Sequence, residues 1–151
     1  MQKLHSSIII NAPKEKVWHA TLDDKPYREW TKAFNEGSYY KGSWEKGSKI
    51  LFLGPDPKTG EEGGMISRIA ENTPYEYISI EHLGIVHNSV EDTTSEEARK
   101  WAPAYENYTF KEQDGATEVV VDMDIDENEA DTFSKMWSEA LQRLKAIAEQ
   151  A

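Results

Sequence analysis

Cysteine is absent from the 151 residues, which excludes disulfides, thiolate metal sites and a cysteine nucleophile, and makes a reducing cytoplasm the simplest compartment. No segment approaches the ~20 apolar residues that a membrane-crossing helix needs. Met1 to Asn11 lacks both the long apolar stretch and the small-residue cleavage site of a secretory signal. A soluble, cytoplasmic protein with no membrane partner is therefore expected. Positive charge is also scarce, since 17 Lys and Arg face 28 Asp and Glu, a formal net charge of −11 at pH 7. The excess is most visible in Glu91–Glu97 and Asp122–Asp131, without a compensating basic stripe. Such a surface repels phosphate backbones, so no nucleic-acid partner is expected, although a basic protein could still dock on it.

Several chemical signatures are missing too. There is no Gly-x-Ser-x-Gly elbow, no glycine loop that cradles phosphate and no His-Glu-x-x-His pair, so hydrolase, nucleotide-binding and zincin readings have no motif behind them. Gly60 to Gly64 holds three glycines but follows a hairpin loop rather than opening a helix. Asp122, Asp124 and Asp126 alternate as strand residues do, and no glycine sits where a calcium loop must bend. No cofactor and no metal are expected.

What is present suffices for one compact domain spanning residues 1–151, since a chain of this size buries roughly 70% of its unfolded surface. Leu4 to Ile10 alternates ahead of Asn11 and Pro13, which predicts a strand leading into a helix start. Val17, Trp18 and Leu22, then Tyr27, Trp30 and Phe34, fall at helical spacing and predict two short helices. From Gly37 the period changes to two. Four antiparallel strands are predicted at Ser38–Ser43, Lys49–Leu53, Met65–Glu71 and Tyr75–Leu83, separated by glycine, proline and asparagine turns.

Gly84–Pro103 is too long for a plain hairpin, and Thr94 with Glu97 has the form of a capping box, predicting a short helix near Ser95–Trp101. This stretch could act as a lid. Two more strands, Tyr105–Glu112 and Thr117–Asp126, are joined by the turn Gln113-Asp114-Gly115. In the second, Thr117, Val119, Val121, Met123 and Ile125 share one face while Glu118, Asp122 and Asp124 share the other, as in a sheet with one wet side. The last element is an amphipathic helix: Phe133, Met136, Trp137, Ala140, Leu141, Leu144, Ile147 and Ala148 form one stripe, and Asn128 is placed to cap its start.

Local motifs add to this order of elements. Ile8-Ile9-Ile10-Asn11-Ala12-Pro13-Lys14-Glu15-Lys16-Val17-Trp18 carries an Ala-Pro turn into a Val-Trp pair; Trp30 stands on the second helix; Gly64-Met65-Ile66 opens a strand. Gly115-Ala116-Thr117 runs into alternating valines, and Trp137 precedes Ala140-Leu141-Gln142-Arg143-Leu144-Lys145. Together they resemble the START-like, or SRPBCC, superfamily of Bet v-like helix-grip proteins, and within it the branch called activator of heat shock protein 90 ATPase homologue-like. The resemblance implies an α+β helix-grip fold: a curved antiparallel sheet of six to seven strands around a long C-terminal helix, with two short helices after the first strand. It carries the fold further than the chaperone activity in the branch's name.

The fold tends to leave room between sheet and helix. Trp30, Phe34, Tyr39, Phe52, Ile66, Tyr77, Trp137 and Leu141 are candidates to line it, with Tyr108, Phe110 and the polar residues His82 and Asn107. His82 has Glu81, His87 and Asn88 as sequence neighbours, and an imidazole beside a carboxylate can act as a general base, or two can hold zinc. The spacing of His82 and His87 is not that of a helical ligand pair, and on a strand they face opposite ways. His5 and His19 have no catalytic partner in view. The leading expectation is a monomer that binds a hydrophobic small molecule and serves in stress response. A chaperone-interacting module and a cyclase-like or aromatase-like enzyme are the alternatives.

Overall fold

The computed structural model describes residues 1–150. In chain order the elements are β1 (Gln2–Ile10), α1 (Lys14–Leu22), α2 (Asp24–Trp30), β2 (Tyr39–Gly42), β3 (Lys49–Pro55), β4 (Glu62–Thr73), β5 (Tyr77–His87), β6 (Val90–Asp92), α3 (Glu96–Trp101), β7 (Ala104–Gln113), β8 (Ala116–Ile125) and α4 (Ala130–Ala148). A single 3-10 turn, Thr31–Ala33, extends α2.

The strands form one antiparallel sheet in the order β1-β8-β7-β5-β4-β3-β2, with β6 paired to β5. All seven strands read from the sequence are there, and the short β6 makes an eighth. The stretch Gly84–Pro103 explains the difference: β5 runs on to His87, turns through Asn88 and Ser89 with positive φ, and returns as β6 before α3. The cap of α3 is Ser95 rather than Thr94, its hydroxyl accepting the Ala98 N–H at 3.1 Å while Asp92 holds Ser95 in place. Likewise Asn128 does not cap α4. It lies in a turn, its N–H donating to Asp126.

Alternation decides which side chains reach the concave face. On β8, Thr117, Val119, Val121, Met123 and Ile125 are all buried. Opposite them on β7, register pairs Phe110 with Val119, Tyr108 with Val121 and Glu106 with Met123. The buried stripe of α4, centred on Trp137, Ala140, Leu141, Leu144 and Ala148, lies on this face together with α1 and α2. Trp137 donates to the Met123 sulfur at 3.0 Å, and Trp30, fully buried, donates to Thr21 O at 3.1 Å. Burying eight to ten side chains of this size, at roughly 1.5–3 kcal/mol each, is what holds helix to sheet. The chain's ends are tied together: Asn11 N–H donates to Glu149 at 2.8 Å, and the Thr117 hydroxyl to Ala12 O at 2.7 Å.

Candidate functional site

Between the first half of α4 and the middle of the sheet, packing is incomplete. A cavity of about 280 Å³ remains, opening to solvent between α3, the start of α4 and the β3–β4 hairpin. Its apolar wall is mostly aromatic. Trp30 and Tyr27 from α2, Phe34 from the turn after it, Trp101 from α3, Phe133 and Trp137 from α4, and Phe52 from β3 contribute. These rings support one another: Phe34 meets Trp137 edge-on at 4.9 Å, Trp30 lies 5.9 Å from Trp137, and Tyr108 another 5.9 Å from it. Such contacts fix ring orientation and cost little conformational freedom.

The inner wall is polar. His82 on β5 lies beside Ser67 on β4, its partner in the ladder, with the Ser67 hydroxyl 2.7 Å from Nδ1. The other ring nitrogen, Nε2, is 3.1 Å from Oε1 of Glu106 on β7. The remaining carboxylate oxygen, Oε2, accepts the Tyr108 hydroxyl. Ser67 is fully buried, so its hydroxyl needs an acceptor, and the ring nitrogen Nδ1 is the one in reach. The proton of a neutral His82 therefore sits on Nε2 and is donated to Glu106. Burial, with the Glu106 charge second, pushes the Tyr108 phenol well above its ordinary range; Tyr27 moves the same way for the same two causes in the same order. Both phenols stay protonated, and that of Tyr108 donates to Glu106.

The order Ser67, His82, Glu106 has the outline of a nucleophile, base and orienting acid. It cannot work as one, because Ser67 has no exposure and does not reach the cavity. The groups that do face the space are His82, Glu106 and Tyr108. No group of His, Asp or Glu among the described residues is arranged to hold a metal.

Of the candidates read from the sequence, the structure brings Trp30, Phe34, Phe52, His82, Tyr108 and Trp137 together at the cavity. Six others fall elsewhere, Phe110 lying edge-on to Trp18 in the closed core. Tyr77 and Asn107 are on the outer face of the sheet, Tyr77 opposite Thr109 and Asn107 accepting the Ser79 hydroxyl at 2.6 Å. Ile66 points outward because alternation on β4 gives the inner face to Ser67 and Ile69; it packs with Leu53 and Val86 in a small second cluster. Tyr39 leans on that cluster, bonds Glu62 and carries the Arg28 guanidinium 5.2 Å over its ring. Its phenol is pushed up to about 12, by loss of solvent and then by Glu62. Leu141 is 2% exposed in the closed core beyond the cavity.

The sequence neighbours read as partners of His82 are not its partners in space, whereas His5 and His19 lie at the surface as expected. Glu81 points away from His82 and pairs with Arg68 at 2.6 Å, and His87 pairs with Glu61 at the exposed hairpin. His5 and His19 are exposed, each beside an aspartate. Glu106 is the residue that sequence reasoning missed. The signal was there: with Tyr108 and Phe110 inward, alternation on β7 brings Glu106 inward and sends Asn107 out.

A curved antiparallel sheet closed over a long terminal helix, with a ring-lined space between, defines the helix-grip class. The Activator of Hsp90 ATPase homolog 1-like family matches residues 11–149, and the chain belongs to that family. No curated protein sequence matches the chain significantly. Among solved structures, protein CV1439 from Chromobacterium violaceum superposes with a TM-score of 0.72 at 18% identity, covering 99% of this chain and 98% of that one. ChR145 from Cytophaga hutchinsonii gives 0.71 at 20% identity, over 99% and 94%. CalU16 from Micromonospora echinospora gives 0.67 at 15% identity, over 97% and 74%. At these identities the likeness is one of fold. No helix among the described residues is long and apolar enough to cross a membrane.

Proposed function

We propose that this protein binds a small apolar or aromatic molecule in the space between the sheet and α4, with His82, Glu106 and Tyr108 orienting it. One observation carries the reading: an otherwise well-packed interior leaves about 280 Å³ open where six or more aromatic rings converge on a pre-bonded polar group. That volume is near the lower end of the ~300–1,000 Å³ usual for ligand pockets, which favours a compact ligand. No cofactor enters the reading, and a cytoplasmic setting suits a chain free of cysteine.

Because Trp30, Trp101 and Trp137 line the cavity, occupancy should change intrinsic fluorescence. Screening compact aromatic and short-chain lipid-like compounds by tryptophan emission and by thermal shift tests the reading. A ligand at about one hundred times its Kd should add about 2.7 kcal/mol of stability. A screen in which no compound moves either signal rejects it.

The family's name supports a second reading, an interaction module for a chaperone docked on the acidic outer face. Pull-down with the chaperone and its ATPase rate, each measured against salt, would decide that one.

A further inference from the structure

The polarity of the cavity is one-sided. Among the described residues, those lining it include Glu106, Asp124 and Asp126 but no lysine or arginine, and the one cationic group among them is the amino group of Met1, beside Asp124. Asp124 and Asp126 sit toward the mouth and are already answered. Lys3 and the Tyr105 N–H hold Asp124, which also has the chain's amino group nearby, and Asp126 accepts the Asn128 N–H. Glu106 is different. Its two partners are the Tyr108 hydroxyl and His82 Nε2, and no lysine or arginine among the described residues reaches it. Its oxygens have lone pairs to spare after one bond each. The rings of Tyr27, Trp30, Phe52 and Trp137 line the same space, and aromatic rings attract cations to their faces.

Resting on the reading of this cavity as a binding site, we infer that its ligand is cationic: a compact apolar body bearing a protonated amine, with Glu106 as counter-ion and the rings as the surrounding cage. A carboxylate-bearing ligand, such as a fatty acid, would meet the Glu106 carboxylate with no lysine or arginine among the described residues of the cavity to receive it. The inference names a class of ligand, amines, and leaves the body of the molecule to size and shape.

Three matched probes test it: naphthylmethylamine, naphthylmethanol and naphthoic acid, titrated against the intact protein at neutral pH by tryptophan fluorescence and calorimetry. The amine should bind at least about tenfold more tightly than the alcohol, and the acid more weakly still. This comparison needs no variant. Glu106→Gln, checked for a native near-ultraviolet spectrum, should then bring amine and alcohol to within about twofold of each other. Equal binding of amine and alcohol by the wild-type protein would leave the cavity a binding site but overturn the cationic assignment. So would a preference for the acid, or an amine preference that survives in Glu106→Gln. If none of the three binds, both the assignment and the binding-site reading fall.

Discussion

The two ends of the space under α4 are built from the same sheet and the same helix, yet one is filled and the other is not. Toward the helix C-terminus, Leu144 and Ala148 meet Ile10 and Val17, all at 1% exposure or less. These are small or branched aliphatic side chains that interdigitate without gaps. Toward its N-terminus, Phe133 and Trp137 meet Phe34, Trp101 and a wall containing His82 and Glu106. Flat rings meeting edge to face, around a polar group that must keep its hydrogen bonds, do not close up in the same way. Stability and recognition are therefore divided between the two ends, and substitutions can separate them.

The largest effect should come from the filled end. Leu144→Ala removes a side chain that nothing can replace, and should cost ~2–5 kcal/mol of unfolding free energy, read from urea melts. Ligand affinity of the folded protein should stay within about twofold; a strong loss of affinity would mean that the ends are coupled.

Alkaline pH probes the open end next. Tyr27 and Tyr108 have folded-state pKa values raised above the ordinary 10. Above that pH the unfolded chain releases their protons while the folded one retains them. Stability from this source is complete below pH 10 and falls as pH rises beyond it, by up to ~1.4 kcal/mol per pH unit for each tyrosine. Tyr39 and Tyr40 are raised too and add to the slope, so Tyr108→Phe should remove one tyrosine's share of it; an unchanged slope would show that this phenol ionises as freely folded as unfolded.

A smaller change, ~1–3 kcal/mol, is expected from Ser67→Ala, which strands the His82 Nδ1 acceptor without a donor. If the chain of bonds runs as described, the imidazole carbon resonances of His82 should shift as its tautomer is released. Phe133→Ala, at a half-buried position, should cost only about 1 kcal/mol but weaken any cavity ligand by about tenfold. At the bottom of the scale, His87→Ala should change stability by less than about 0.5 kcal/mol and leave binding untouched, because its partner Glu61 and itself are exposed.

The elements that were legible in the sequence are those with a long, clean period. The α4 stripe spans five turns, and β8 alternates without interruption, so both could be read without ambiguity. The seam between β4 and β5 could not. Two irregularities interrupt its pairing, one extra residue at Leu83 on β5 and one at Ala70 on β4, and no local property of either marks it as a bulge. Asn107 fails by parity: alternation from the inward Tyr108 turns it to the outer face and brings Glu106 in. The short β6 was hidden because three residues carry too little pattern to be distinguished from a loop.

β1 is an edge strand whose one neighbour in the sheet is β8. It is made first and its partner is made about a hundred residues later, so at ~5–20 residues per second the run Ile8-Ile9-Ile10 leaves the ribosome roughly 5–20 s before a strand exists to cover it. The acidic excess of the chain arrives too late to keep nascent copies apart for most of that interval: through Lys49 the chain carries nine Lys and Arg against six Asp and Glu, and the carboxylate surplus comes only with its second half.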